Sequence, residues 1–120
     1  MTSHRVLVVE DDAEIREIVT DILREYGFDV LEASNGAEAL AVLQADPLPC
    51  IILLDLMMPV MDGEAFREAQ LREPRLARIP VVVISAYLDL RVDLDRLQAA
   101  GYLKKPPRIE ELVSVIEQHC

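Results

Sequence analysis

The sequence predicts an α/β fold, a doubly wound parallel sheet with helices on both faces, and three observations carry that prediction. Short apolar runs alternate with amphipathic segments from one end of the chain to the other. Three of the five runs are apolar at successive positions, as strands covered on both faces require. The intervals between runs are long enough for the right-handed crossovers that parallel strands need. With 120 residues, 52% of them hydrophobic, the chain is expected to form one domain over 1–120 around a sizeable core.

The first run covers residues 5–9. After it, Ile15, Ile18, Val19, Ile22, Leu23 and Tyr26 recur at helical spacing, and Gly27 stands where that helix would stop. A second run covers 28–33. Asn35, with Glu38 three residues on, is a capping pair for a second helix that turns Leu40 and Leu43 inward, and Pro47 and Pro49 close it. The third run, 50–54, leads to Asp62, which can cap a helix carrying Phe66 and Ala69, with Pro74 expected to end the region. After the fourth run, 80–84, residues 88–94 alternate with period two, while Leu90, Leu94 and Leu97 also share one helical face. The β-α alternation favours a fourth helix there. A brief run at 101–104 precedes a last helix with Ile109, Leu112, Val113 and Ile116 on one face, and Glu110 and Glu111 in its first turn suit the helix dipole.

Open parallel sheets place their sites beyond the carboxyl ends of the strands, where the strand order reverses. There this chain has Glu10, Asp11 and Asp12 after the first run, Asp55 after the third, Ser85 after the fourth, and Lys105 and Pro106 after the fifth. If the first and third strands are neighbours, the carboxylates share one cleft. Two such charges ~4 Å apart repel by about 4 kcal/mol at an effective dielectric of 20, so the cluster calls for a cation. Carboxylate oxygens without His or Cys select Mg²⁺ or a similar hard ion such as Mn²⁺. Asp11 and Asp12 have a second reading as helix caps, since Asp11-x-x-Glu14 matches a capping signature. Asp55 has little structural excuse, because a carboxylate ending a buried strand is costly without a partner. Lys105 is placed to pair with it or with a bound anion.

Composition narrows the partners. The formal net charge of −10 argues against direct binding to nucleic acid or an anionic membrane. No apolar run is long enough for a membrane span, and the first residues lack the core of a signal peptide, so a cytoplasmic location is expected. Cys50 and Cys120 are too few for a disulfide framework and are expected as reduced thiols.

Val8-Val9-Glu10-Asp11-Asp12, the stretch from Leu54-Asp55 to Asp62-Gly63, Val83-Ile84-Ser85-Ala86 and Tyr102-Leu103-Lys104-Lys105-Pro106 together resemble the receiver (response regulator) domain of two-component signalling. The match runs in order over nearly the whole chain. It implies a flavodoxin-like sheet of order 2-1-3-4-5 with five helices, the fourth short or irregular because the interval from Ser85 to Lys105 is shorter than is usual in the family. It further implies that Asp55 takes a phosphoryl group from a sensor histidine kinase or a histidine phosphotransfer protein. Mg²⁺ would be held by Glu10, Asp11, Asp55 and the backbone carbonyl of Met57. Ser85 would bond the phosphoryl group, Lys105 would pair with Asp55 and then with phosphate, and Tyr102 would swing inward as Ser85 moves. The implied output is a downstream protein or a self-dimer on the face of the fourth helix, fifth strand and fifth helix, where Leu88, Leu90, Val92 and Leu94 add apolar side chains. Such a domain is expected to be no enzyme beyond its own phosphorylation and slow dephosphorylation.

Other chemistries on this architecture fit less well. A flavin-binding redox module needs a hydroxyl- and Gly-rich loop after the first strand, where this chain has three acids. An aspartyl phosphatase of the haloacid type commonly carries a general acid two residues after its nucleophile, and Met57 cannot transfer a proton. A receiver used only for docking has no need of the full set of acids, Ser85 and Lys105. Met57 and Tyr87 are expected to flank the mouth of the site, where neither would position an attacking water well, so slow loss of the phosphoryl group is expected.

Overall fold

The computed structural model describes residues 4–45, 47–56, 58, 60–85 and 97–120. Five strands form one sheet: β1 (Arg5–Val9), β2 (Asp29–Ala33), β3 (Ile51–Asp55), β4 (Val81–Ser85) and β5 (Gly101–Lys104). All pairings are parallel and the order is β2-β1-β3-β4-β5, as the resemblance implied. The strand order therefore reverses between β1 and β3, which sets the crevice of the fold at their carboxyl ends.

The side-chain alternation of the strands divides the core in two. Leu7, Val9, Ile52, Leu54, Val81 and Val83 pack on one face with residues of α2 (Gly36–Val42), α3 (Gly63–Arg72) and α4 (Pro74–Ala77). Val6, Val8, Ile51, Leu53, Val82 and Ile84 pack on the other with α1 (Ala13–Glu25) and α5 (Ile109–His119). Burial on both faces accounts for the unbroken apolar runs of β1, β3 and β4. Each fully buried leucine or isoleucine here contributes about 1.5–3 kcal/mol.

Helix ends follow local chemistry. The Asp12 carboxylate accepts from the N–H groups of Glu14 and Ile15 and so opens α1. At the other end Gly27 has φ of 91°, Gly27 N–H donates to Arg24 O, and Phe28 N–H donates to Leu23 O. This double closure is a Schellman motif, whose left-handed residue favours glycine. Asn35 caps α2 through Glu38 N–H, while the Glu38 carboxylate reaches back to the N–H and hydroxyl of Ser34. Asp62 caps α3 through Ala65 N–H.

Two sequence expectations require correction. Pro74 does not simply end a helical region: it opens α4, a one-turn helix in which proline occupies the first position, where its missing N–H costs nothing. Cys50 and Cys120 are not separate thiols but a disulfide, with Cα atoms 5.5 Å apart. Cys50 immediately precedes β3 and Cys120 caps α5, and the packing of α5 on the sheet joins positions 70 residues apart in sequence. The expected fourth helix over 88–94 lies outside the described residues. The chain that leads into β5 is tied down by α3: the buried Arg67 guanidinium donates to Leu97 O and Gln98 O at 2.8 and 3.0 Å, and to Gln70 Oε1 at 2.8 Å. Burial pulls the Arg67 pKa below its ordinary value, and the carbonyl partners offset that cost.

Candidate functional site

The ends of β1, β3 and β5 bring four ionisable side chains together. The β1–β2 ladder continues one residue past Val9, with Glu10 N–H donating to Ala33 O at 3.0 Å, so Glu10 leaves the sheet at the crevice. Asp55 is the last residue of β3, one position later than the strand end expected from sequence, and pairs in register with Ile84. Lys105 N–H donates to Ser85 O at 2.8 Å, which extends the β4–β5 ladder past Lys104 and aims Lys105 back over the strand ends. Its Nζ lies 2.5 Å from Glu10 Oε1 and 3.2 Å from Asp55 Oδ2.

Asp11 and Asp12 divide the two roles that the sequence left open between them. Asp12 turns outward as the cap of α1, whereas Asp11 joins the cluster: one carboxylate oxygen each from Glu10, Asp11 and Asp55 lie within 4.8 Å of one another. At that separation two ionised carboxylates repel by about 3.5 kcal/mol at an effective dielectric of 20. One lysine against three carboxylates leaves negative charge in excess. Ile15, Val19, Leu53, Ile84 and Pro107 line the cavity beneath Glu10, Asp55 and Lys105, so the pocket has an apolar floor. Burial pushes the Glu10 carboxyl up to about 7; Asp55 and Asp11 push the same way and Lys105 opposes them. Burial works against the Lys105 ammonium, but Glu10 and Asp55 outweigh it and raise its pKa.

The donor set suits a hard divalent cation. Three carboxylates from two adjacent strand ends, with no imidazole or thiol among them, match the few protein ligands that Mg²⁺ takes while keeping several waters.

Close packing holds Asp55 in place. A Cβ on Gly63 would stand 2.7 Å from Asp55 O and 2.8 Å from Leu56 Cα, both backbone atoms, so only glycine lets α3 start this near the strand end. Gly63 N–H donates to Leu56 O at 3.1 Å across that contact.

Ser85 is almost wholly buried at the last position of β4, beside Lys104 in register and one residue beyond the partner of Asp55. Tyr102 sits lower on β5, opposite Val83, half-buried against the core cluster that includes Leu97. Met57 and Tyr87, expected at the mouth, lie outside the described residues. Sequence reasoning missed Arg67, whose partners are carbonyls about thirty residues away that no motif advertises.

The profile of the response regulator receiver domain matches residues 6–117. Over 117 residues the chain is 38% identical to the phosphate regulon transcriptional regulatory protein PhoB of Klebsiella pneumoniae, covering 96% of this chain and 51% of that protein. It superposes on the chemotaxis response regulator CheY4 of Vibrio cholerae with a TM-score of 0.89 at 29% identity, covering 99% of this chain and 100% of that one. The receiver domain of a sensor histidine kinase from Pseudomonas aeruginosa PAO1, solved with a magnesium ion coordinated in its active site cleft, shares the fold with a TM-score of 0.88 at 22% identity, each chain 98% covered. The chain spans about half or less of the length of the curated relatives it matches.

Proposed function

The chain belongs to the response regulator receiver family, and on that premise we propose that Asp55 is its phosphoacceptor, served by Lys105 and by a divalent cation bound among Glu10, Asp11 and Asp55. The observation that supports this most is the meeting of three carboxylates and one lysine at the reversal point of the sheet. The donor is a phosphohistidine of a sensor histidine kinase or histidine phosphotransfer protein. The phosphorus–nitrogen bond breaks as an Asp55 carboxylate oxygen forms the new phosphorus–oxygen bond.

Magnesium, or manganese, supplies positive charge to the phosphoryl oxygens when bound, as the magnesium in the Pseudomonas receiver cleft suggests. Glu10, Asp11 and Asp55 would hold it, and the family resemblance adds the Met57 carbonyl. Lys105 orients the Asp55 carboxylate at 3.2 Å and then pairs with the transferred group. The apolar floor beneath them keeps bulk water from the underside of the site.

Phosphorylation adds about half to one negative charge at Asp55, since about −1.5 to −2 replaces −1. The Ser85 hydroxyl bonds the new phosphoryl oxygens and Tyr102 moves inward with it, shifting the face around β5 and α5 toward a downstream protein or a second copy of the chain. The domain is a cytoplasmic switch, catalysing only its own phosphorylation and slow dephosphorylation. Among the described residues no helix is long and apolar enough to cross a membrane. Intact mass after incubation with a small phosphodonor and Mg²⁺ tests the proposal. Wild type should gain one phosphoryl group and Asp55→Asn none; an equal gain by the variant refutes it.

A further inference from the structure

At the end of the sheet opposite the acid pocket, three soft-metal ligands converge. His4 immediately precedes β1, Cys50 immediately precedes β3, and Cys120 caps α5. One imidazole nitrogen of His4 and the two sulfurs all lie within 4.8 Å of one another. His4 is exposed, whereas Cys50 and Cys120 are half-buried against the core face formed with α1 and α5. The His4 ring is further fixed by a tilted contact with Phe28 at 6.3 Å between centroids. The backbone beneath is held by the sheet: Asp29 N–H donates to His4 O at 2.9 Å and Cys50 N–H to Arg5 O at 2.8 Å.

We propose that, with Cys50 and Cys120 reduced, His4, Cys50 and Cys120 form a zinc site that the disulfide form abolishes. Two thiolates and an imidazole, converging from three chain segments with one side open to solvent, are the donor types of a tetrahedral zinc centre completed by water, and breaking the disulfide frees the two sulfurs to separate around the ion. The same two sulfurs cannot serve both as a disulfide and as ligands, so redox state decides occupancy. Oxidation requires a low-molecular-weight disulfide as oxidant. One cysteine thiolate attacks that disulfide and releases one small thiol; the second attacks the mixed disulfide and releases the other. Two electrons pass from Cys50 and Cys120 to the oxidant, and their two protons end on the small thiols. Bound zinc would tie the starts of β1 and β3 to the end of α5, independently of events at Asp55.

The test uses the full chain with excess Mg²⁺ occupying the acid pocket. Reduced wild type should bind one equivalent of Zn²⁺ in competition with a chromophoric chelator, melt at higher temperature with zinc than without, and give thiolate-to-metal charge transfer with Co²⁺. Zinc should also protect both cysteines from alkylation. Cys50→Ser or Cys120→Ser should abolish these signals, His4→Gln should weaken zinc binding at least ~10-fold, and the oxidised protein should show none of them. If a serine variant does not fold, the alkylation assay on wild type and His4→Gln decides the question. Zinc binding that survives cysteine oxidation, or equal alkylation with and without zinc in the folded reduced protein, overturns the proposal.

Discussion

Replacing Lys105 by Met removes the one ammonium that separates Glu10 from Asp55 while keeping an unbranched chain of similar length. At 3.2 Å from Asp55 Oδ2, that charge is worth about 5 kcal/mol of attraction at an effective dielectric of 20, before desolvation and screening of a side chain that is 19% exposed. Breaking one side of a largely buried ion pair typically costs about 3 kcal/mol net. At about 4 °C per kcal/mol for a domain of this size, the metal-free variant should melt roughly 12 °C below wild type at about pH 8.

The sign with pH is set by Glu10, whose carboxyl stands raised from 4.5 to about 7. A raised carboxyl contributes stability that is complete below its unfolded value and is lost as pH rises through its folded value. Lys105 lowers the Glu10 pKa, so its removal pushes that carboxyl further up and enlarges the loss. The gap between variant and wild type should therefore be narrow near about pH 5, widen toward about pH 8, and narrow again when Mg²⁺ replaces the missing charge. Thermal melts monitored by circular dichroism, with and without Mg²⁺, measure all three. A gap independent of both pH and Mg²⁺ would show that Lys105 acts by packing alone.

Four other substitutions probe separate parts of the site. Asp12→Ala should lower stability by ~1 kcal/mol through the lost cap, yet leave Mg²⁺ affinity intact, whereas Asp11→Asn should do the reverse; denaturant titration and Mg²⁺ titration separate them. Gly63→Ala drives a Cβ against two backbone atoms at the end of β3, so it should cost about 1–3 kcal/mol in a urea melt and slow phosphorylation by displacing Asp55. Met57→Asn supplies an amide able to position water and should speed loss of the phosphoryl group in a decay assay; an unchanged lifetime would remove Met57 from the mouth of the site.

The fold was legible because burial on both sheet faces leaves unbroken apolar runs, and capping side chains and Gly27 mark the helix ends by local chemistry. Strand ends were misjudged where function intrudes: β3 and β4 each run one residue further, through Asp55 and Ser85, because a backbone ladder is indifferent to a polar side chain at its last rung. The site was legible chiefly through Asp55, because a carboxylate ending a buried apolar strand is costly without a partner, whereas Asp12 beside it has its own structural cause as the cap of α1. Pro74 misled because proline both stops helices and starts them. The meeting of Cys50 with Cys120 and the buried bonds of Arg67 depend on how distant segments pack, which no local pattern encodes.

Locating the phosphoryl group directly bears most on the central claim. Borohydride reduction of the freshly phosphorylated domain converts an aspartyl phosphate to homoserine, which peptide mass mapping places by residue. Homoserine at position 55, formed only when a divalent cation is present, is the predicted result. The acyl phosphate found at Glu10, Asp11 or any other carboxyl, or formed equally well without a divalent cation, would contradict it.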